Sequence, residues 1–259
     1  MLKDKIVIVT GAAGGIGKAI AIEAGRAGAR LALVDVDAES LNESAATIRA
    51  DGSEVLSLAV DITDRAVWQK SVDEIAEYFG GIDVMVNNAM WVKYEPMVEV
   101  NEDSYRRQMA VGLDAVYWGT QAVIPHMVER GTGSIVNMTS PASIHGIPNG
   151  SVYAAVKGAI SALTRQCAVE LGPKGIRVNA VAPGPIPTPG TRRVVDDKGW
   201  EKRLERSPLG RLSTPEGVAR VVVFLASDAA DCVNGDVMFA DGGRSISPRN
   251  APSLSPVLR

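Results

Sequence analysis

The sequence predicts an α/β fold in which a doubly wound parallel sheet carries helices on both faces. Three observations support this. Short β-branched apolar runs alternate with longer amphipathic stretches along most of the chain. The first run, Lys5 to Thr10, passes straight into the glycine cluster Gly11-Ala-Ala-Gly-Gly-Ile-Gly17 and then into a helical pattern. The next run, Arg30 to Asp35, ends in an acid. Strand, glycine turn, helix and strand in that order make a βαβ unit with an anion site at the helix N-terminus.

Each further element follows from the same alternation. Lys5 to Thr10 reads as a strand buried on both faces, and the first helix runs from about Ile16 to Ala27, with Gly28 as its stop signal. Ala38 to Ala50 is a helix, and Glu54 to Val60 is a strand running up to Asp61. Asp64 to Phe79 is a helix and Asp83 to Val86 a strand. Glu102 to about Arg130 reads as one long helix with a bend expected at Pro125. Gly133 to Thr139 is a strand, Ser151 to Leu171 a helix and Arg177 to Ala182 a strand. Pro183 to Pro189 then holds four prolines, and Gly190 to Leu212 is highly charged. A lid or substrate loop over about 185–212 is expected there. Thr214-Pro-Glu216 has a capping oxygen, a proline at the first helical position and an acid at the positive end, so a helix starts there and runs to about Ala226. Val237 to Ala240 is a short last strand. One domain over 1–244 is expected, with 245–259 as an extended tail.

Composition narrows the function classes. The 259 residues carry a net charge of −3, with 46% hydrophobic and 22% charged residues, which is ordinary globular balance. A pI near 5.5 gives no support for nucleic acid or an anionic membrane as partner. No apolar run is long enough to span a membrane, no basic leader opens the chain, and a cytoplasmic protein is expected. The two cysteines, Cys167 and Cys232, lack zinc-site spacing; two free thiols are expected, with one disulfide as the alternative. No metal site is expected.

The chemistry centres on Ser151 to Gly158. Tyr153 and Lys157 stand one helical turn apart and share a face. A free phenol has a pKa of about 10 and is a poor base near neutrality. A neighbouring ammonium is expected to lower it, so that the phenol can take a proton from an alcohol or give one to a carbonyl oxygen. The pair alone is a weak signal, because an ordinary amphipathic helix can carry it. The glycine cluster adds a dinucleotide site, with Asp35, 18 residues after Gly17, placed to accept the ribose hydroxyls of adenosine. A 2′-phosphate would meet like charge there. No Lys or Arg lies within Gly11 to Gly17, and Val36 follows the acid, so NAD is expected over NADP. Asp61 either reaches an adenine amino group or caps the next helix ahead of Asp64.

These motifs together resemble the short-chain dehydrogenase/reductase family. Thr10-Gly-Ala-Ala-Gly-Gly-Ile-Gly17, Asn87-Asn-Ala89, Ser140 and Tyr153-Ala-Ala-Val-Lys157 carry the resemblance. Asn179-Ala-Val-Ala-Pro-Gly184 and Asp241-Gly-Gly243 extend it, so that it covers about Leu2 to Gly243. The family implies a Rossmann-like fold with a seven-stranded parallel sheet, in a homotetramer or homodimer. It implies Ser140 as the serine holding the substrate oxygen, Tyr153 as acid/base, and Lys157 as the group that binds the nicotinamide ribose and lowers the tyrosine pKa. The cofactor is expected to meet Gly11, Gly14, Gly15, Ile16, Gly17, Asp35, Val36, Asp61, Ile62, Asn88, Ala89, Tyr153 and Lys157. Pro183, Gly184, Ile186 and Thr188 are expected to pass its nicotinamide end.

Two positions depart from the family pattern. Gly112 stands where an Asn that helps hold a lysine-linked water is usual; either a water bound by backbone carbonyls substitutes or the proton leaves by another route, and activity with altered proton exchange is expected. Met90 stands where Gly is common, as an apolar wall near the nicotinamide or as core filling. Met90, Trp91, Ser140, Ala142, His145, Tyr153 and Pro185 are the expected substrate contacts, with Tyr94, Pro141 and Ile186 on the same segments. They are mostly apolar or aromatic, which suits a ring or hydrocarbon. His145 either touches substrate or is a solvated loop residue. The basic lid residues are largely offset by acids, and an acidic substrate held by Arg192 or Arg193 is the alternative. The reading is an NAD-dependent oxidoreductase for a secondary alcohol or ketone, cyclic or hydrophobic in character. The alternatives are a 3-oxoacyl-thioester reductase and a cofactor-binding protein with little catalysis.

Overall fold

The structure is a computed structural model and describes residues 1–192 and 195–247. Seven parallel strands form one sheet: β1 (Ile6–Thr10), β2 (Arg30–Asp35), β3 (Val55–Ala59), β4 (Val84–Asn87), β5 (Gly133–Met138), β6 (Ile176–Pro183) and β7 (Val237–Ala240). Their spatial order is β3-β2-β1-β4-β5-β6-β7. The order reverses between β1 and β4, so the carboxyl ends of these strands open a crevice at the switch point. The family-implied sheet of seven strands is therefore present, in the Rossmann-like order.

Helices cover both faces. On one side α1 (Gly15–Arg26), α2 (Ala38–Ala50) and α9 (Pro215–Ala226) bury Ile20, Leu41, Ile48 and Val222 against Val7, Val9, Leu31 and Leu33. On the other, α3 (Arg65–Phe79) and α5 (Ala115–Arg130) bury Trp68, Val72, Ile75, Val123 and Met127 against Ile6, Ile8, Met85 and Ile135. Alternate strand residues thus serve opposite cores, which is why these runs are apolar throughout rather than alternating. Helix starts match their sequence signals. Asp37 accepts from the Ser40 N–H, Asp64 from Ala66 and Val67, and Thr214 from Gly217.

The long helix differs from expectation. It breaks into α4 (Glu102–Met109), a π turn over Ala110–Asp114, and α5, which continues through Pro125. The irregularity therefore sits at Gly112 and not at the proline. The third strand ends at Ala59, two residues before Asp61. The lid contains two short helices, α7 (Pro189–Arg192) and α8 (Asp197–Glu205), and Asp196 caps the latter through the Gly199 N–H. Arg193 and residues 248–259 of the expected tail lie outside the described residues. Ser245 to Ser247 curl back rather than extend, because Asp241 accepts from the Ser245 N–H and Gly243 O accepts from Ser247. Both cysteines are free thiols.

Buried polar side chains tie the catalytic helix, α6 (Ser151–Leu171), to the sheet. Asn137 on β5 accepts from Asn87 Nδ2 at 2.8 Å and donates to Thr164 Oγ1 at 3.0 Å. Asn87 also donates to Thr120 on α5. The chain β4–β5–α6 is thus linked side chain to side chain in a dry interior, where an orphaned amide is costly. Asn137→Ala is expected to lower unfolding stability by about 2–4 kcal/mol, measured by urea denaturation, because Asn87 and Thr164 both lose a buried partner.

Candidate active site

The glycine turn comes first. Gly11 and Gly15 have φ of +68° and +56°, a region that favours glycine. A Cβ on Gly17 would stand 2.0 Å from Gly11 O, so bare backbone lets the turn close. A Cβ on Gly14 would meet nothing, and Gly14 caps α1 with no side-chain acceptor and no acid in the first turn. The N–H groups at this helix end therefore face an open site that suits an anion. Asn88 braces the turn from below: its Nδ2 donates to Thr10 O at 2.9 Å, and Thr10 Oγ1 accepts from the Asn88 and Ala89 N–H groups.

Asp35 stands at the end of β2 beside that turn, its two oxygens accepting from Ala13 N and Asp37 N at 3.0 and 3.1 Å. Val36 next to it is 73% exposed. Asp61 is bound differently. Its Oδ1 accepts from both the N–H and the hydroxyl of Thr63, so it shapes the turn leading to the Asp64 cap. The cap of α3 itself is Asp64. Ile62 and Ile186 turn their side chains into the core and offer only backbone to the crevice. Pro183 and Gly184 follow at the end of β6, where a Cβ on Gly184 would lie 2.8 Å from Asp241 Cα. Thr188 closes the rim: its methyl would lie 3.8 Å from a Cβ on Gly15.

Ser140 sits just beyond β5, and its hydroxyl accepts from Ala142 N at 3.1 Å. The side chain of Ala142 is buried. Tyr153 and Lys157 project from the first two turns of α6. The Lys157 ammonium is 5.8 Å from the Tyr153 ring centre and donates to Met138 O at 2.8 Å. Thr139 Oγ1 donates to Lys157 O at 2.9 Å, fixing the same turn from behind. Tyr94 meets Tyr153 edge to face with ring centres 5.8 Å apart. Trp91 lies under the Arg107 guanidinium at 4.5 Å. His145 is exposed and its Nε2 is 3.1 Å from Ser245 O, which holds it to the segment after β7.

The proton chemistry corrects one expectation. Burial raises the Tyr153 pKa above its ordinary value, and only hydrogen bonding with Ser140 opposes the rise. Lys157, whose ammonium donates to Met138 O, is not among the groups that lower it here. Burial also pushes Tyr94 up to about 12 and Lys157 down to about 8. The amine thus remains mostly charged at neutral pH, and Tyr153 rests as a neutral phenol.

Gly112 and Met90, the two departures, touch one another. A Cβ on Gly112 would lie 2.7 Å from Met90 Sδ. Met90 therefore packs into the apolar cluster of Val116, Val152, Val156 and Ile160 as well as bordering the crevice. The buried Asn137, Thr139, Ser161 and Thr164 were not among the expected site residues. Their signal is polarity inside an apolar strand and on the buried stripe of α6.

With this geometry in place, residues 11–245 match the family model described as enoyl-(acyl carrier protein) reductase, adh_short_C2. The chain belongs to the short-chain dehydrogenase/reductase family. It is similar to 3-oxoacyl-[acyl-carrier-protein] reductase of Thermotoga maritima, 38% identical over 245 residues that cover 95% of this chain and 99% of the relative. Two solved structures each superpose with a TM-score of 0.91. One is a putative NAD(P) dependent gluconate 5-dehydrogenase from Beutenbergia cavernae with bound NADP, 36% identical and covering 95% of this chain and 98% of that one. The other is a 7α-hydroxysteroid dehydrogenase complexed with NADH and 7-oxo glycochenodeoxycholic acid, 34% identical and covering 93% and 94%. The short-chain dehydrogenase/reductase family binds nicotinamide cofactors, and these two neighbours hold different ones.

The depressed Lys157 pKa makes a stability statement. An ammonium lowered from 10.5 to about 8 costs the fold on the order of 3 kcal/mol below pH 8. Between pH 8 and 10.5 the unfolded chain binds more protons, so this cost shrinks as pH rises. Lys157→Met is therefore expected to raise the melting temperature at pH 7 by more than at pH 10, in scanning calorimetry, while turnover is lost.

Proposed function

We propose that this protein is an NAD-dependent oxidoreductase that moves a hydride between the dinucleotide and a secondary alcohol or its ketone, with a cyclic or hydrophobic substrate. The observation that carries the reading is the convergence of Ser140, Tyr153 and Lys157 at the carboxyl ends of β5 and α6's first turns, in the same crevice as the open glycine turn and Asp35. The residues fit a dinucleotide: an uncapped helix N-terminus faces open space at Gly14, and a carboxylate with spare acceptor capacity stands beside it. When bound, that cofactor supplies the two-electron acceptor or donor.

The chain's own groups handle the oxygen and its proton. Ser140 donates to or accepts from the substrate oxygen and fixes its distance from Tyr153. In reduction, the neutral phenol gives its proton to the carbonyl oxygen as the carbinol forms. In oxidation, the phenolate takes the hydroxyl proton. Lys157 carries a positive charge 5.8 Å from the phenol ring centre, and a closer approach of that charge favours the anionic form. Asp35 favours NAD, because a 2′-phosphate would meet a carboxylate. The steroid bound to one structural neighbour supports a cyclic substrate for this chain too, in keeping with Met90, Trp91 and Tyr94 along the crevice. One dehydrogenase domain over 1–244, in a homo-oligomer, belongs to the same proposal; exposed Val67, Tyr117 and Val128 on α3 and α5 supply apolar surface for it.

A second reading, reduction of a 3-oxoacyl thioester, is favoured by the Thermotoga maritima relative. Cofactor choice and substrate separate the two. An NADH-absorbance screen of cyclic secondary alcohols is expected to show turnover with NAD well above that with NADP. Tyr153→Phe is expected to lower kcat by about 10²- to 10⁴-fold with NADH binding unchanged. Higher turnover of a 3-oxoacyl thioester with NADPH would favour the second reading. Asp35→Ser should narrow the preference for NAD, read as the ratio of kcat/KM values.

The raised Tyr153 pKa sets the pH dependence. The acid form is present throughout the neutral range and is lost only as pH climbs through the raised value. Ketone reduction should therefore hold its rate at neutral pH and fall at alkaline pH, whereas alcohol oxidation should rise from pH 7 to beyond pH 9. Initial rates in both directions across that range check it.

A further inference from the structure

We propose that Gly112 is a positioning residue: its bare backbone is a notch that seats Val156 of the catalytic helix and Met90 of the pocket wall, and the seating sets where Tyr153 and Lys157 stand. The inference rests on the dehydrogenase reading above. Gly112 is buried in the π turn between α4 and α5. A Cβ there would lie 2.7 Å from Val156 Cγ1, 2.7 Å from Met90 Sδ and 3.1 Å from Met90 Cε. Carbon and sulfur atoms do not pack at such distances, so any side chain at 112 displaces one neighbour or both.

The two neighbours yield differently. Met90 has an unbranched side chain with several rotatable bonds and can swing aside, toward the crevice. Val156 is fully buried and β-branched, with one strongly preferred rotamer in a helix. Its displacement moves α6 itself. Val156 precedes Lys157 directly and follows Tyr153 by three positions, and Lys157 is held at both its amine and its carbonyl by Met138 and Thr139. A methyl at 112 therefore strains the segment that carries both functional groups. Asn at 112 is larger than Ala and strains it more, so Met90 and an Asn at 112 compete for one space.

The sign of the stability change makes this decidable. Gly→Ala inside a helix ordinarily stabilises, because it lowers the entropy of the unfolded chain. The experiment compares wild type, Gly112→Ala, Val156→Ala and the double variant. Gly112→Ala should lower the melting temperature of the unliganded protein and reduce kcat at least about tenfold, while the NADH Kd stays within about threefold. In the double variant kcat should return to within about threefold of Val156→Ala, and the melting temperature should equal or exceed that of Val156→Ala. Recovery of folding by the double variant, where Gly112→Ala alone does not fold, supports the notch equally. A melting temperature raised by Gly112→Ala with kcat intact would overturn the proposal, as would losses in the double variant that merely multiply.

If wild type turns over no alcohol in the screen, the dehydrogenase reading fails separately. The tyrosinate absorbance of Tyr153, taken as the difference from Tyr153→Phe, then replaces kcat. Its midpoint should move by at least about half a pH unit in Gly112→Ala and return in the double variant. An unmoved midpoint overturns the positioning role.

Discussion

The hydrogen bond from the buried Lys157 ammonium to Met138 O is the contact on which the site depends. It joins the first turns of α6 to the carboxyl end of β5, the strand that also delivers Ser140. Burying that cation is unfavourable, and its lowered pKa records the cost. The surrounding structure offsets it. Thr139 holds the Lys157 carbonyl, Ser161 donates to the same oxygen, and Asn137 bonds Thr164 two turns further along. A destabilising group is thus retained at the end of a fully bonded polar ladder, as expected where stability is exchanged for a reactive arrangement.

The same arrangement explains the resting state. Tyr153 is desolvated, its phenol is neutral, and the nearby ammonium is occupied elsewhere. Burial thus keeps the phenol protonated through the neutral range. The glycine-turn end of the crevice is fixed by its own backbone. Its N–H groups, its open floor at Gly14 and the Asp35 carboxylate are already in position, fixed by backbone geometry and by Asn88.

Much of this was legible in the residues. The βαβ start, the Thr214 cap, and the extents of β2, α2, α6 and β7 follow from local patterns whose causes are local. The glycine turn, Asp35 and the Tyr153–Lys157 pair follow because backbone reach and helical spacing leave few alternatives. What was not legible depends on contacts distant in sequence. The sign of the Tyr153 pKa shift is set by burial, not by its neighbour four residues on. The break in the long helix falls at Gly112, where Met90 and Val156 fill the space beside it, whereas Pro125 sits in α5 without ending it.

The central claim is that the carbinol hydrogen leaves as hydride within this crevice while its hydroxyl proton passes to Tyr153. A cyclic secondary alcohol carrying deuterium on the carbinol carbon tests it most directly, with the reduced dinucleotide examined by mass spectrometry. The account predicts deuterium in the nicotinamide ring with wild type and a slower rate than with the unlabelled alcohol. Oxidised product with no deuterium in the dinucleotide would contradict it.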